Sequence, residues 1–217
     1  MPGLRTRKKQ QTYDALSAAA IALFLERGFD QVSVADIAAA ANVSKPTLFK
    51  YFATKQDLVL HRIADHAHES ARLLQEANAG AIPAEGRVAW AAGILRDAFV
   101  AGLDRRDPVT GLNDDPEVLA YYRLVFETPT LAIRVQQFIA EDQTALADAL
   151  GNDLTAEVAA AQLISTQQVL ARRNYRAMAG GITAAKQYPT AHAEALTAYS
   201  TFPGTHPTKS NLRESKS

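Results

Sequence analysis

Residues 33–52 read SVADIAAAANVSKPTLFKYF, in which an alanine-rich segment and a second short segment flank a small polar break. Ser33 and Asp36 have the spacing of a capping box, in which two side chains bind the free amides at a helix start. Asn42 tolerates a left-handed backbone better than most residues other than glycine, and Ser44 is a preferred N-cap. The stretch therefore predicts two helices joined by a tight turn, a helix-turn-helix.

The second helix of this pair carries polar side chains that packing alone does not require. Five apolar positions are predicted to hold the two helices together: Ile37, Ala41, Val43, Leu48 and Phe52. Four positions are left facing outward: Lys45, Thr47, Lys50 and Tyr51. Lysine and hydroxyl groups near the start of a short helix suit the DNA major groove, where they meet base edges and phosphates. A helical hairpin with an ordinary polar face is the alternative, because this geometry alone is a weak signal.

Helical spacing of apolar residues continues along the chain, and no strand-like alternation interrupts it. Gly28 is placed to end the first helix. Thr54 and Asp57 form a second capping-box pattern, which predicts a long helix from Lys55 to about Glu76. After a Gly- and Pro-containing break, further helices are predicted at about 83–104, 116–127, 130–150, 155–179 and 190–200. We therefore expect an all-α fold.

The distribution of charge and the composition narrow the functional classes. The chain of 217 residues has a formal net charge of zero, but residues 1–60 hold eight Lys and Arg against five Asp and Glu. This basic N-terminal part suits a nucleic-acid partner, although a solvated basic end is the alternative; its first basic residues are Arg5, Arg7, Lys8 and Lys9. The absence of cysteine excludes thiolate metal sites and disulfides. Because no apolar run approaches the roughly 20 residues of a membrane span and no secretory pattern opens the chain, we expect a cytoplasmic protein without a membrane partner.

The motifs of residues 10–60 resemble the DNA-binding domain of the TetR family of transcriptional repressors. They arrive in the family's order: A-x-x-L-F-x-x-x-G-F, I-A-x-x-A-x-V-S, T-L-F-x-Y-F and K-x-x-L. The resemblance implies an all-α homodimer with an N-terminal three-helix DNA-binding domain and a larger C-terminal helical domain for effector binding and dimerisation. The domain limits that we predict are 1–54, with the helix-turn-helix at about 33–52, then 55–200, and a disordered tail at 201–217.

Carried over by position, the resemblance also implies which residues contact DNA. Lys45 is the predicted base reader, and Pro46 is expected to press against a thymine methyl group. Two residues depart from the family: Asn42 replaces the usual glycine, and Phe49 replaces a tyrosine whose hydroxyl commonly touches a phosphate, so Phe49 is expected to pack inward. The resemblance implies contacts with the DNA backbone for Ser33, Ser44, Thr47, Tyr51 and Lys55. The predicted DNA-binding set is Ser33, Ser44, Lys45, Pro46, Thr47, Phe49, Lys50, Tyr51 and Lys55.

Effector-binding residues are harder to predict, since aromatic side chains at helical spacing line pockets less often than they fill cores. The candidate ligand residues are Trp90, Phe99, Tyr121, Phe126, Gln162 and Thr166. Polar residues in the helix predicted at 155–179 have two interpretations, as anchors for a ligand or as part of a dimer interface. We favour the interface for most of them: Gln162, Ser165, Thr166, Gln167 and Gln168.

One set of residues has the composition of a metal site. On a continuous helix, His61, Asp65 and His68 fall within about 40° of one another, and two imidazoles with a carboxylate suit zinc. Three side chains on successive turns of one straight helix rarely converge on a single ion, so a hydrophilic helix surface is the favoured interpretation. No metal and no cofactor are predicted.

The sequence therefore predicts a ligand-responsive, DNA-binding regulator, a repressor that a small effector releases from a palindromic operator. Its predicted partners are double-stranded DNA, a second copy of the chain and an unidentified small effector. Alternatives are an activator, or a helical adaptor that has lost DNA binding. An enzyme is disfavoured, because neither a Gly-rich phosphate loop nor a G-x-S-x-G nucleophile motif occurs.

Overall fold

The computed structural model describes residues 4–77, 83 and 85–204, and in this part of the chain every regular element is helical. The prediction of an all-α fold is confirmed. A 3₁₀ turn at Pro108–Thr110 follows the sixth helix. The α-helices are α1 (Leu4–Arg27), α2 (Val34–Ala40), α3 (Lys45–Phe49), α4 (Asp57–Ala64), α5 (Glu69–Ala77), α6 (Arg87–Asp104), α7 (Pro116–Glu127), α8 (Pro129–Leu150), α9 (Leu154–Ala179) and α10 (Ala184–Ser200).

The chain divides into two compact units. Unit 1 comprises Met1–Ala67 and Pro116–Phe138, so α7 and the first part of α8 join α1–α4. Unit 2 comprises His68–Asp115 and Ile139–Ser217. The predicted domain limits at 1–54 and 55–200 stay predictions. Of the predicted tail, residues 205–217 lie outside the described residues, whereas Phe202 is buried.

The local signals around the helix-turn-helix form as predicted. Ser33 caps α2 in a capping box with Asp36, in which the Ser33 amide donates to the carboxylate over 2.8 Å. Asn42 has φ +53°, the left-handed conformation expected of it, and Gly28 ends α1 at φ +87°. Ser44 then caps α3 by accepting from the amide of Thr47 over 3.2 Å. These features depend on residues within four positions of each other, which is why the sequence alone predicts them.

The prediction of one long helix from Lys55 to Glu76 is wrong. The capping box between Thr54 and Asp57 is present, but α4 ends at Ala64 and a turn separates it from α5. In this turn His68 has φ +61°, and its amide donates to Oδ1 of Asp142 over 2.7 Å. Because the acceptor lies 74 residues away in the sequence, no local pattern announces the break.

The last helix begins six residues before the predicted start at 190, because Thr183 caps it and the amide of Ala184 donates to Asp114. Pro189 lies inside this helix rather than before it. None of the helices in the described ranges has the length and apolar character that crossing a bilayer requires.

Candidate nucleic-acid interface

The short helix α3 and its flanks separate buried from exposed side chains as a recognition helix must. Leu48 and Phe52 are buried in the core of unit 1, at 1% and 2% exposure. Lys45, Pro46 and Lys50 are exposed to solvent. Residues three and four positions apart share a helix face, so Lys45 and Pro46 lie on one stripe with Phe49. The structure thus brings the predicted base-reading positions together on the outer face of α3.

This surface is positively charged. The segment 37–56 contains three lysines and neither aspartate nor glutamate. The nearest preceding carboxylate, that of Asp36, is engaged by Ser33, and these hydrogen bonds hold the pKa of Asp36 below its usual value. Within residues 37–56 no carboxylate repels a phosphate, whereas Asp36, which stays ionised, interacts with the charge of Lys45.

The serine and threonine hydroxyls of the site differ in whether they have a proton free for a hydrogen bond to DNA. The Ser33 hydroxyl donates to Asp36 over 2.6 Å, so its proton is committed to the cap of α2. Ser44 Oγ and Thr47 Oγ1 lie 2.8 Å apart and share one of their two protons. The second proton of this pair is available, which makes the Ser44–Thr47 pair a better phosphate donor than Ser33.

Phe49 does not pack inward, and this prediction is wrong. Its side chain is 51% exposed at the end of α3, while the neighbouring Leu48 fills the core. The helical pattern admits only one of two adjacent residues to the buried face, and Leu48 occupies it. An exposed aromatic ring thus lies on the same stripe as Lys45.

Lys55 is directed into unit 1. Its ammonium group donates to the carbonyl of Phe29 and lies 4.3 Å from the centroid of the Phe29 ring and 5.4 Å from that of Phe24. Burial lowers the pKa of Lys55, although the charge of Asp30 opposes this shift. The side chain connects the start of α4 with the residues that follow α1, whereas the sequence predicted it as a DNA-backbone contact.

Tyr51 is half-buried, and the ring of its neighbour Phe52 stacks on Tyr13 of α1 with ring centroids 4.3 Å apart. The sequence predicts no role for Tyr13. Nor does the sequence predict the concavity of about 340 Å³ beside the turn, which α1 and the residues around Asn42 form. Lys8 of the basic N-terminal part belongs to its lining. Seven residues line the concavity: Lys8, Gln11, Thr12, Ala15, Leu16, Ala41 and Val43.

The predicted ligand residues do not lie in one unit. Tyr121 and Phe126 belong to unit 1, where the Tyr121 hydroxyl donates to the carbonyl of Val59 over 2.9 Å and Phe126 is 40% exposed. The other four, Trp90, Phe99, Gln162 and Thr166, belong to unit 2. There Phe99 is buried, Gln162 is exposed and Thr166 donates to the carbonyl of Gln162 within α9. A concavity of about 470 Å³ in unit 2 is lined by none of the six.

The metal hypothesis loses its geometric basis because the helix that was to carry it is broken. His61 is 6% exposed, and its Nδ1 lies 2.8 Å from Ser17 Oγ in the core of unit 1. Asp65 lies in the turn after α4, and His68 precedes α5 with a left-handed backbone. In the described ranges no group of three or more metal-ligating side chains is gathered.

Comparison with known proteins connects this surface with a family. The family model described as bacterial regulatory proteins, tetR family, matches residues 16–61, which contain α2 and α3. The chain is similar to the HTH-type transcriptional regulator TcmR of Streptomyces glaucescens, with 35% identity over 106 residues, 48% of this chain and 47% of that protein. It is also similar to the putative mycofactocin biosynthesis transcriptional regulator MftR of Mycobacterium tuberculosis, with 38% identity over 68 residues, 31% and 34% of the two chains. The matched segments thus span about half or less of these relatives.

The fold as a whole resembles that of NalD, the secondary repressor of the MexAB-OprM multidrug efflux pump in Pseudomonas aeruginosa. The TM-score is 0.56, the identity is 15%, and the match covers 88% of this chain and 97% of that one. At this identity the likeness concerns the fold alone.

Proposed function

We propose, from the match of residues 16–61 to the tetR family model and from the similarity to TcmR, that the chain is a DNA-binding transcriptional regulator of that family. Its finer function, in this proposal, is that of a homodimeric repressor that a small-molecule effector releases from a palindromic operator. The matched family points to a regulator rather than an enzyme.

One observation carries the proposal: the exposed, acid-free face of α3. Lys45 and Pro46 are exposed beside the capped start of this helix, and Lys50 follows it. Lysine can donate to guanine O6 and N7 in the major groove, and the Ser44–Thr47 pair offers a hydroxyl proton to a phosphate. In this proposal Lys45 reads bases, whereas Lys50, Tyr51 and the hydroxyl pair hold the backbone.

A palindrome requires two copies of α3, and α9 offers a surface for a second copy of the chain. Leu154, Val158 and Val169 on this helix are 75%, 48% and 57% exposed. Spacings of four and eleven residues place them on one face of the helix, together with Gln162 and Ser165. A long apolar and polar stripe of this kind fits a homodimer interface, which is the role favoured for these polar residues from the sequence.

In a dimer, the two α3 helices must lie about 34–36 Å apart to occupy successive major grooves on one side of DNA. An effector that prefers a conformation with a different spacing would draw the protein away from DNA in proportion to its differential affinity. By this reasoning the effector site lies in unit 2, where four of the six predicted ligand residues are found.

The test is selection of bound duplexes from a random pool with the full chain, Lys45→Ala and Tyr51→Ala. We expect the native chain to enrich a palindrome, Lys45→Ala to relax the preference at one base pair per half-site, and Tyr51→Ala to weaken binding to all duplexes alike. Failure of the native chain to enrich any sequence would reject the proposal and favour the adaptor alternative. Repressor and activator are then distinguished by placing the selected site upstream of a reporter.

A further inference from the structure

Resting on the proposed function, we propose that Phe49 reads a thymine through its 5-methyl group and is a specificity-determining residue of the DNA surface. The ring would press against the methyl group in the major groove, next to the base pair read by Lys45. The partner is duplex DNA with a thymine at that position.

Exposure of Phe49 has no explanation in the packing of unit 1. The core beneath α3 is filled by Leu48 and Phe52, at 1% and 2% exposure, while 51% of Phe49 is open to solvent. Leaving an aromatic side chain half in water forgoes the free energy that its burial would give, so an apolar contact made on binding DNA would recover it.

Position on α3 selects the base edge rather than the phosphate as the contact of Phe49. Phe49 follows Lys45 by four residues and Pro46 by three, so the three side chains share the exposed face. A phenyl ring has no hydrogen-bond donor for a phosphate oxygen. In the major groove, the thymine methyl is the one apolar feature that distinguishes a base pair, and phenylalanine is among the side chains that contact it.

The charges that flank Phe49 also favour a thymine methyl in DNA as its contact. Lys45 and Lys50 lie on either side of Phe49 in the sequence, and no carboxylate occurs between residues 37 and 56. The thymine methyl lies on a base edge in a groove that phosphates border, and two ammonium groups beside an exposed ring suit these surroundings.

The experiment uses the full chain and the palindrome that it selects, with each thymine replaced in turn by uracil. Uracil pairs as thymine does and lacks only the methyl group. At one position of the half-site we expect the replacement of thymine by uracil to weaken binding about three- to fivefold. This factor corresponds to the free energy of burying one methyl group. Phe49→Ala should weaken binding to the thymine duplex and bind the thymine and uracil duplexes equally.

Matched variants separate this role from others. Phe49→Tyr keeps the ring and should keep the thymine preference. Lys50→Ala should weaken binding to both duplexes by the same factor. Pro46→Ala should leave the preference at the Phe49 position intact, since any methyl that Pro46 touches belongs to another base. Thermal unfolding of Phe49→Ala should match that of the native chain, because the side chain is exposed.

The outcomes distinguish the two proposals. A selected palindrome whose thymine-to-uracil replacements have no effect, or an effect that persists in Phe49→Ala, overturns this inference and leaves the DNA-binding function standing. If the preference for thymine over uracil is lost in Pro46→Ala but kept in Phe49→Ala, the methyl contact belongs to Pro46. This outcome also overturns the inference about Phe49. If the native chain selects no duplex, the proposed function fails and the inference fails with it.

Discussion

Ser17 of α1 and His61 of α4 are joined by a hydrogen bond of 2.8 Å in the core of unit 1. The Ser17 hydroxyl also lies 2.8 Å from the carbonyl of Leu58, which only accepts, so the hydroxyl donates there and accepts from Nδ1–H of His61. Both side chains are buried, at 1% and 6% exposure. This arrangement fastens α4 to α1 and requires a proton on Nδ1 of His61.

Unit 1 should lose stability in mild acid because of His61. Burial lowers the pKa of His61, with a contribution from Arg62, while the carboxylates of Asp65 and Asp14 oppose the shift. When the pH drops below 6.5, the ordinary pKa of histidine, His61 takes up a proton in the unfolded chain but not yet in the folded chain. The free energy of unfolding therefore decreases as the pH decreases. Urea titrations between about pH 7.5 and 5.5 measure this, and in His61→Gln the decline should be smaller; an equal decline would contradict it.

Ser17→Ala should destabilise unit 1 at neutral pH. The substitution leaves the buried Nδ1–H of His61 without its acceptor, which costs about 1–3 kcal/mol. Chemical unfolding measures the loss. Ser70→Ala in unit 2 is the control, because Ser70 donates over a longer 3.3 Å to Gln167 in a half-buried site. A loss no greater than that of the control would show that the bond contributes little.

Lys55 should act in folding more than in DNA binding. Lys55→Met removes the hydrogen bond to Phe29 and the contacts with two rings, and we expect a loss of stability of about 1–2 kcal/mol. The dependence of DNA affinity on salt should stay unchanged, because the ammonium group is already engaged within the protein. Lys50→Met, at an exposed position, should instead reduce the salt slope by about one without lowering stability. A reduced slope in Lys55→Met would restore the phosphate contact predicted from the sequence.

Val169→Glu should convert the proposed dimer into a monomer. The side chain is 57% exposed on the α9 stripe, and a carboxylate buried against a second copy would be desolvated without a partner. Sedimentation velocity measures whether the variant is a dimer or a monomer. The affinity of the monomer for the palindrome should be lower than that of the dimer. Ile133→Glu is the control, since this residue is 63% exposed on α8 within unit 1. If Val169→Glu sedimented as the native chain does, the interface would lie elsewhere.

Gly111→Ala should be among the most destabilising single changes in unit 2. A Cβ at this position would lie 2.0 Å from the carbonyl oxygen of Ala171 in α9, and the backbone has φ +71°. We expect a loss of about 3–5 kcal/mol in urea unfolding. Gly181→Ala provides the comparison, because its φ is +86° but no atom lies within 4 Å of the added Cβ. It should lose only the conformational cost of about 1–2 kcal/mol; equal losses would mean that the chain moves away from Ala171 easily.

The candidate site was predictable where short-range chemistry decides it. The caps at Ser33 and Ser44 and the left-handed Asn42 follow from residue types and spacings within one or two turns, and the structure has all three. The inward packing predicted for Phe49 is wrong, since a departure from a family residue does not say which of two adjacent side chains the core admits. The sequence gives no sign of the partner of Lys55, because the carbonyl of Phe29 lies 26 residues earlier.

The sequence by itself determined the all-α fold and the position of the helix-turn-helix, because helix starts, stops and apolar spacing are local properties written in consecutive residues. Only the tertiary structure decided that α4 and α5 are separate helices, where the amide of His68 meets Asp142, and that His61 is a buried partner of Ser17 rather than a metal ligand. It alone also placed Tyr121 in the unit of the helix-turn-helix, bonded to Val59. Each of these outcomes depends on groups more than 40 residues apart, and the free energy of such contacts is set by packing, which no local pattern records.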